Sequence, residues 1–273
     1  MVAAAPVPND AFVDRDKRIA RVQVITRKLL VANVGLCPQT RTDFGFSSLS
    51  LDPGKPSEGF TITATSSQDA STQSELRVGD VIVSANGVRW QSSSDGPRAF
   101  FEEMRAAQTQ SQLRLGIRRD NAELLLTVPA QRICVGDIGL TPKKRVNAWA
   151  TGTTIMLEGG VERLLASDDE LAWVIAHEMA HIVLGHTDPA KSGDRANAQL
   201  RSIMERDADA LSVRLMLRAG FAPEAAGDAQ VKIAKASRGP ISQLLDITGP
   251  YMKTGERNTF LRVQASEARA ESR

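Results

Sequence analysis

The sequence predicts an α+β protein in which a mainly helical domain with a small edge sheet is interrupted by a β-rich domain. Apolar residues recur at helical spacing between about residues 10 and 34. Strand alternation and turn signals fill about 38 to 131, and helical spacing returns from about 132 onward. We therefore predict an N-terminal helix of the main domain in 1–36, an inserted domain in 37–131, and the core of the main domain in 132–273.

Composition excludes several classes of protein. With 273 residues, 42% apolar and 24% charged, the chain can bury a sizeable core. A net charge of +2 gives no reason to expect nucleic acid or an anionic membrane as the main partner. No apolar run approaches the roughly 20 residues of a membrane span. The first residues lack the basic and apolar regions of a signal peptide, and they are compatible with a leader or lipid anchor removed earlier.

The β-rich segment carries its own sequence of turns and strands. Leu76 to Val88 contains a Gly-Asp turn, a short apolar strand and an Asn-Gly hairpin turn. A short helix is predicted from Pro97 to Gln108, followed by two closing strands. These residues resemble a bacterial-type PDZ domain. The resemblance implies a groove for an extended peptide, here between about Phe60–Thr63 and Ala99–Arg105. A packing module without a ligand is the alternative.

A metal motif lies in the third part of the chain. His177 and His181 are four residues apart, which places both imidazoles on one face of a helix. Glu178 lies beside them and can reach a water without binding the metal, so it is the candidate general base. Ser167 to Glu170 predicts a capping box at the start of this helix, and Gly185 predicts its end. We predict one catalytic Zn²⁺ per chain.

A catalytic zinc needs a third protein ligand and one open position. The third histidine, His186, lies five residues past His181 and beyond the predicted helix end. A carboxylate on the following helix is therefore expected. Glu205 and Asp209 share one face of that helix at i, i+4, and Asp207 is the competing candidate.

Two motifs together resemble the HtpX-type gluzincin peptidases, a family that includes the CAAX prenyl proteases and the Oma-type peptidases. The chain has both His-Glu-x-x-His and the Glu-x-x-Ala-Asp run that begins at Glu205. The resemblance implies a zincin-type fold with Glu205 as the third ligand, and Asp209 as a group that orients a ligand histidine. It also implies that the strand with Asn147, Ala148 and Ala150 borders the cleft and pairs with substrate.

One position departs from the family pattern. Tyr251 stands where the family often has a histidine, six residues before Arg257. A phenol can donate a hydrogen bond to a developing oxyanion, so Tyr251 is a candidate catalytic residue. A half-buried aromatic without a catalytic role is the alternative. We expect Arg257 to be structural.

The two cysteines, Cys37 and Cys134, bracket the β-rich segment. If the ends of the insertion lie close together, as in most inserted domains, the two can form a disulfide. A disulfide indicates a periplasmic or otherwise extracytoplasmic protein, whereas two buried thiols indicate a cytoplasmic one.

The predicted function is that of a zinc metalloendopeptidase, a hydrolase that cleaves peptide bonds in protein or peptide substrates in protein quality control. The PDZ-like domain would recruit substrate or gate the cleft, and it would bind a peptide ligand. The alternative is a non-enzymatic PDZ-type adaptor or a chaperone-like protein with a structural zinc. A closed structural site needs a fourth ligand, and the sequence offers no evident one.

Overall fold

The structure is a computed structural model that describes residues 10–49, 59–65, 74–91, 96–188, 198–236 and 252–272. The chain divides into two compact units. Unit 1 comprises Met1–Arg27 and Arg41–Arg132, and unit 2 comprises Lys28–Thr40 and Ile133–Arg273. Both contain helices and strands, in agreement with the predicted α+β class.

Unit 1 is built around an antiparallel sheet with the order β2-β3-β4-β6-β7, to which β5 adds by pairing with β4. The strands are β2 (Phe46–Leu49), β3 (Phe60–Thr65), β4 (Val81–Ala85), β5 (Val88–Arg89), β6 (Gln112–Arg119) and β7 (Ala122–Pro129). The predicted Asn-Gly turn joins β4 to β5. Asn86 and Gly87 both have positive φ, at 47° and 91°, as a tight hairpin turn requires.

One helix, α2 (Gly96–Ala106), packs beside this sheet. The core is aliphatic along β6 and aromatic at its other end, where the rings of Phe60 and Phe100 stack with centroids 5.3 Å apart. The ring of Trp90 meets Phe60 edge-on at 4.5 Å. These aromatic contacts and the aliphatic residues of β6 give unit 1 a core of its own.

The strand predicted to border a peptide groove lies in the interior of the sheet. β3, which contains Phe60–Thr63, lies between β2 and β4, so its backbone groups are already engaged in the sheet. β2 ends the strand order instead. A cavity of about 680 Å³ lies between this end of the sheet and α2, and it is lined by Thr42, Asp43, Phe44, Phe46, Phe101, Met104, Arg105 and Gln108. The predicted helix segment Ala99–Arg105 lines this cavity, whereas its strand side contains Phe46 and none of Phe60–Thr63.

The first helix, α1 (Asp10–Ala32), is divided between the two units, whereas the sequence placed all of 1–36 with the main domain. A contact within unit 1 explains the difference. The guanidinium of Arg27 donates to Asp43 Oδ2 and, at 2.9 Å, to the carbonyl oxygen of Phe46. These bonds attach α1, five residues before its end, to Asp43 and to the first residue of β2.

Unit 2 contains a three-stranded sheet and five helices within the described residues. The sheet has the order β10-β11-β9, with β9 at Asp137–Thr141, β10 at Ala148–Thr151 and β11 at Thr154–Glu158. The helices are α3 (Gly159–Leu164), α4 (Asp168–Val183), α5 (Ala198–Arg218), α6 (Ala225–Ala236) and α7 (Thr254–Glu271). α4 packs against α5, α6 and β10. None of the helices that the structure describes is long and apolar enough to cross a bilayer.

The two chain segments that lead into and out of unit 1 meet at a disulfide. Cys37 and Cys134 are bonded, with Cα atoms 5.5 Å apart and 97 residues between them in sequence. Next to them, β1 (Thr40–Asp43) pairs with β8 (Gln131–Cys134). The end of α1 is held to unit 2 through Asn33, whose side chain donates to the carbonyl oxygen of Leu215 in α5. The disulfide thus closes the β-rich segment at its base.

Candidate metal centre

The helix α4 carries the two predicted histidine ligands and is buried over most of its length. Its start differs from the prediction. Ser167 is the N-cap, but its side chain makes no capping hydrogen bond. Glu170 bonds instead to Lys232 Nζ, at 2.5 Å, and Asp169 accepts the backbone N–H of Ala222. The predicted capping box is therefore replaced by tertiary contacts with α6 and the residues before it.

Three side chains converge at the middle of unit 2. His177 Nε2 and His181 Nε2 lie 3.2 Å apart. From α5, the carboxylate of Glu205 lies 3.3 Å from the first of these nitrogens and 3.5 Å from the second. Each residue thus offers one ligand atom to a common point, and the three ligand atoms lie within 4.8 Å of one another.

These spacings fit a tetrahedral ion. With metal–ligand distances of about 2.0–2.2 Å, two ligands of a tetrahedral zinc are about 3.3–3.5 Å apart. The two Nε2 atoms are 3.2 Å apart, Glu205 Oε2 is 3.3 Å from His177 Nε2, and Glu205 Oε1 is 3.5 Å from His181 Nε2, so each pair of residues offers a spacing close to that value. Two imidazoles and one carboxylate, with a fourth position left for water, form the donor set of a catalytic zinc site. The chain can therefore hold a metal with His177, His181 and Glu205.

Asp209 lies one turn beyond Glu205 on α5 and is fully buried. Its Oδ1 is 3.0 Å from His177 Nδ1, the ring nitrogen on the far side from the ligand atom. Arg257, from α7, donates to both carboxylate oxygens at 2.8 Å. The same guanidinium lies over the ring of Trp173, 5.6 Å from its centroid. A buried carboxylate in this position is suited to orient a neighbouring imidazole, which is the role predicted for Asp209.

Glu178 is buried beside the ligands. Burial raises the pKa of its carboxyl to about 7, and the charge of Glu205 adds to this, while His177 and Arg257 oppose it. A hydrogen bond from the backbone of Ala150 also lowers this pKa, and it links the carboxyl to β10. A carboxyl group with a pKa near neutrality can both accept and return a proton.

The ligands themselves titrate far from their ordinary ranges. Burial disfavours a charged His177, but hydrogen bonds and charge from Asp209 and Glu205 outweigh it and raise the pKa of His177 to about 10. Burial and the neighbouring His177 lower the pKa of His181 to about 3. For Glu205, burial is outweighed by His177, His181 and Arg257, which lower its pKa to about 2. Such perturbed groups cluster at functional sites.

The strand predicted to border the cleft is β10, which begins at Ala148, directly after Asn147. It pairs with β11 on one side and stands at the end of the strand order. The carbonyl oxygen of Asn147 accepts the N–H of Glu158 from β11. Ala150 approaches Glu178 as described above. Tyr251, the candidate oxyanion donor, lies outside the described residues.

Sequence reasoning gave three side chains around the ligands no role in the site. Arg257 was expected to be structural, and its bonds to Asp209 connect it to the ligand His177. Trp173 precedes His177 by one turn of α4, with ring centroids 6.0 Å apart. His186 contacts His181 just past the helix end. The spacing of Trp173 from His177 and the Gly185-His186 pair after the helix were the available signals.

Metal-dependent hydrolases activate water with this kind of arrangement. It consists of two histidines on one helix, a carboxylate from a second helix that can join them at a metal, and a further carboxylate beside them. The model of Peptidase family M48 matches residues 128–201. The matched residues include His177, Glu178 and His181, and they end before Glu205. The match supports a protease of the M48 metallopeptidase family.

No curated protein matches the chain. Among solved structures, the chain is similar to one described as "Crystal Structure of the HtrA3 PDZ Domain Bound to a Phage-Derived Ligand (FGRWV)". The identity is 22%, the match covers 35% of this chain and 91% of that chain, and the TM-score is 0.27. The PDZ-like character of unit 1 stays a prediction.

Proposed function

We propose that the protein is a zinc-dependent endopeptidase that hydrolyses peptide bonds in protein substrates. One observation carries the proposal. The ligand atoms of His177, His181 and Glu205 converge at distances that suit one tetrahedral ion, and Glu178 lies beside them without joining them. The match to Peptidase family M48 over 128–201 supports the same reaction class.

His177, His181 and Glu205 would hold the ion. Zinc, when bound, lowers the pKa of water and polarises the scissile carbonyl. The carboxylate of Glu178 accepts the proton of the attacking water and then donates it to the amine of the leaving fragment. Asp209 keeps the proton of His177 on Nδ1, so that Nε2 keeps its lone pair for the metal.

We assign substrate alignment to the edge strand β10. A peptide can pair through its backbone groups with a strand at the edge of a sheet, and β10 ends its sheet among the residues that the structure describes. In β10, Ala148 and Ala150 have small side chains, and Ala150 is hydrogen-bonded to Glu178. A peptide added beside these residues would run past the carboxyl group that moves the proton.

Two further features support our proposal for the cellular setting of the protein. The disulfide between Cys37 and Cys134 supports an oxidising, extracytoplasmic compartment such as the periplasm. Unit 1 has a cavity beside α2 that suits an extended peptide, and we propose that it recruits protein ends or gates the cleft. Together these features favour a role in protein quality control.

A non-enzymatic adaptor with a structural zinc is the alternative. Such a site needs four protein ligands. Within the part of the chain that the structure describes, the candidate group contains three. His186 is no fourth ligand, because its Nδ1 faces His181 Nδ1, on the side of that ring opposite to the ligand nitrogen. In an adaptor, the buried carboxyl group of Glu178 would also have no functional role.

The test compares degradation of an unfolded protein, such as reduced casein, by the wild type and by Glu178→Gln, with zinc content measured in both. We expect one zinc per chain in each protein and a loss of cleavage in the variant of roughly 100-fold or more. Glu170→Gln is the matched control, because Glu170 lies on the same helix about 12 Å earlier along its axis. Equal cleavage by Glu178→Gln and the wild type would refute the mechanism, and a wild type without zinc would refute the proposed function.

A further inference from the structure

The end of α4 turns the chain back toward the metal ligands. Leu184 is the C-cap, and Gly185 follows with a φ of 68°, a conformation that glycine adopts without cost. The N–H of Gly185 donates to the carbonyl oxygen of Ile182, and the N–H of His186 donates to that of His181, at 2.8 Å. These two bonds form a Schellman motif. In this motif the side chain of the second residue after the cap contacts that of the residue three positions before the cap. Here those two residues are His186 and His181.

A Schellman motif usually brings two apolar side chains together at this point. In this chain both side chains are imidazoles, with ring centroids 5.2 Å apart. His181 Nδ1 and His186 Nδ1 are 3.1 Å apart, within hydrogen-bonding distance. The local backbone that ends the helix therefore also supplies a partner for the ring nitrogen of His181 that does not face the metal position.

The proton positions on the two rings follow from this contact. A neutral imidazole has one N–H donor and one acceptor nitrogen. If His181 binds a metal through Nε2, its proton is on Nδ1 and is donated to His186 Nδ1. His186 then carries its own proton on Nε2. The Nδ1 atom of His177 lies near Asp209 in a similar way. Each ligand histidine therefore has a neighbouring group at its Nδ1 atom.

The next residue holds this arrangement in place. Thr187 Oγ1 donates to the carbonyl oxygen of Gly152, at 2.9 Å, in the turn between β10 and β11. His186 is therefore fixed by the helix end on one side and by the edge hairpin on the other. A side chain fixed through its neighbours on both sides can set the orientation of the ring that it contacts.

We propose that His186 is a positioning residue, which holds His181 in the ring orientation and tautomer that leave Nε2 available to zinc. The inference rests on the proposed function, because it assigns His186 a role toward the same ion. It adds a residue outside the ligand set and outside the His-Glu-x-x-His motif. Groups that support a metal ligand in this way typically contribute 10- to 100-fold to metal affinity.

The test measures zinc affinity of the full-length protein by competition with a chromophoric chelator. For His186→Ala we expect an affinity roughly 10- to 100-fold weaker than that of the wild type. For His186→Asn we expect most of that loss to be recovered, because the side-chain oxygen of Asn is one bond from Cγ, as Nδ1 of His is. Leu184→Ala, an exposed apolar position in the same turn, is the control and should bind zinc as the wild type does.

A second readout follows the proton itself. With only three histidines in the chain, selective ¹⁵N-histidine labelling gives a ring-nitrogen spectrum that can be assigned fully. In the zinc-loaded wild type we expect a slowly exchanging Nδ1–H on His181, and in His186→Ala faster exchange of that proton. The inference is overturned if His186→Ala keeps the wild-type zinc affinity, or if Ala and Asn weaken it equally. In both cases a wild type that binds zinc leaves the proposed function standing, whereas a wild type that binds none overturns both.

Discussion

Replacing Asp209 by asparagine removes the charge that connects α5, α7 and the ligand helix α4. In the native protein this carboxylate is fully buried, receives two hydrogen bonds of 2.8 Å from Arg257 and lies 3.0 Å from His177 Nδ1. The charge of Arg257 and the hydrogen bonds hold the pKa of Asp209 far below its ordinary value despite burial, so the group is ionised at neutral pH. Asparagine keeps the shape of the side chain and loses the charge.

We expect Asp209→Asn to lower both the free energy of unfolding and the affinity for zinc. The charge centres of a bidentate pair are about 4 Å apart, and at an effective dielectric constant of about 20 their attraction is about 4 kcal/mol. Breaking a buried ion pair by removing one partner typically costs about 3–5 kcal/mol of unfolding free energy, because the other charge stays buried without its counterion. Zinc affinity should fall roughly 10- to 100-fold as His177 loses its partner, which corresponds to about 1.4–2.7 kcal/mol.

Urea denaturation of the zinc-free protein measures the loss of unfolding free energy, and chelator competition measures the loss of zinc affinity. Asp207→Asn is the matched control, because Asp207 is on the same helix with an exposed side chain. The double variant Asp209→Asn/Arg257→Met removes both charges, and it should be less destabilised than the sum of the two single variants. If Asp209→Asn and Asp207→Asn have equal unfolding free energies and equal zinc affinities, the role assigned to this carboxylate is refuted.

Two further predictions concern the scaffold. Asp80, almost fully buried in unit 1, accepts two hydrogen bonds from Arg119 and one from the N–H of Arg77, and these outweigh burial and lower its pKa. Its stabilising contribution is therefore complete above the ordinary value of 3.8 and is lost as pH falls below it. Asp80→Asn should cost about 3 kcal/mol at neutral pH and flatten this acid dependence, measured by urea denaturation from pH 7 to pH 3, and an unchanged pH profile would contradict the assignment. A Cβ on Gly160, at the start of α3, would collide with the backbone oxygens of Lys144 and Arg145, whereas one on Gly35 would meet nothing within 4 Å. We expect Gly160→Ala to lose about 1–3 kcal/mol or more and Gly35→Ala to lose little, and equal melting temperatures would contradict this packing.

Local sequence patterns predicted the parts of the site that depend on local geometry. His177, Glu178 and His181 are set by helical spacing, and the helix ends at Val183, two residues before the Gly185 that predicted its end. The structure brings the ligand atom of Glu205 to the same point, as the Glu-x-x-Ala-Asp motif implied.

The remaining features depend on contacts between residues that are far apart in the chain. Arg257 reaches Asp209 across 48 residues, and no periodicity signals this pair. Glu170 is buried and is bonded to Lys232, 62 residues later, whose side chain is about half exposed, so this contact replaces the predicted capping box. The interior position of β3, where the sequence placed the strand of the expected groove, also depends on distant contacts, since alternation along a strand cannot reveal which strand ends the sheet. His186 is the intermediate case, because the Gly185 that ends the helix also determines where His186 lies.

The disulfide between Cys37 and Cys134 gives the polypeptide a covalent loop that contains nearly all of the β-rich segment. A protease that cuts once inside this loop cannot release the first 37 residues, because the bond still joins them to the chain that carries His177. The end of α1, with Asn33 hydrogen-bonded to Leu215, would keep its place in unit 2. A nicked chain would then run at full mass on a gel without reductant and separate into two fragments with reductant. Such a cut would damage unit 1 and leave His177, His181 and Glu205 on a chain that is still covalently joined to α1.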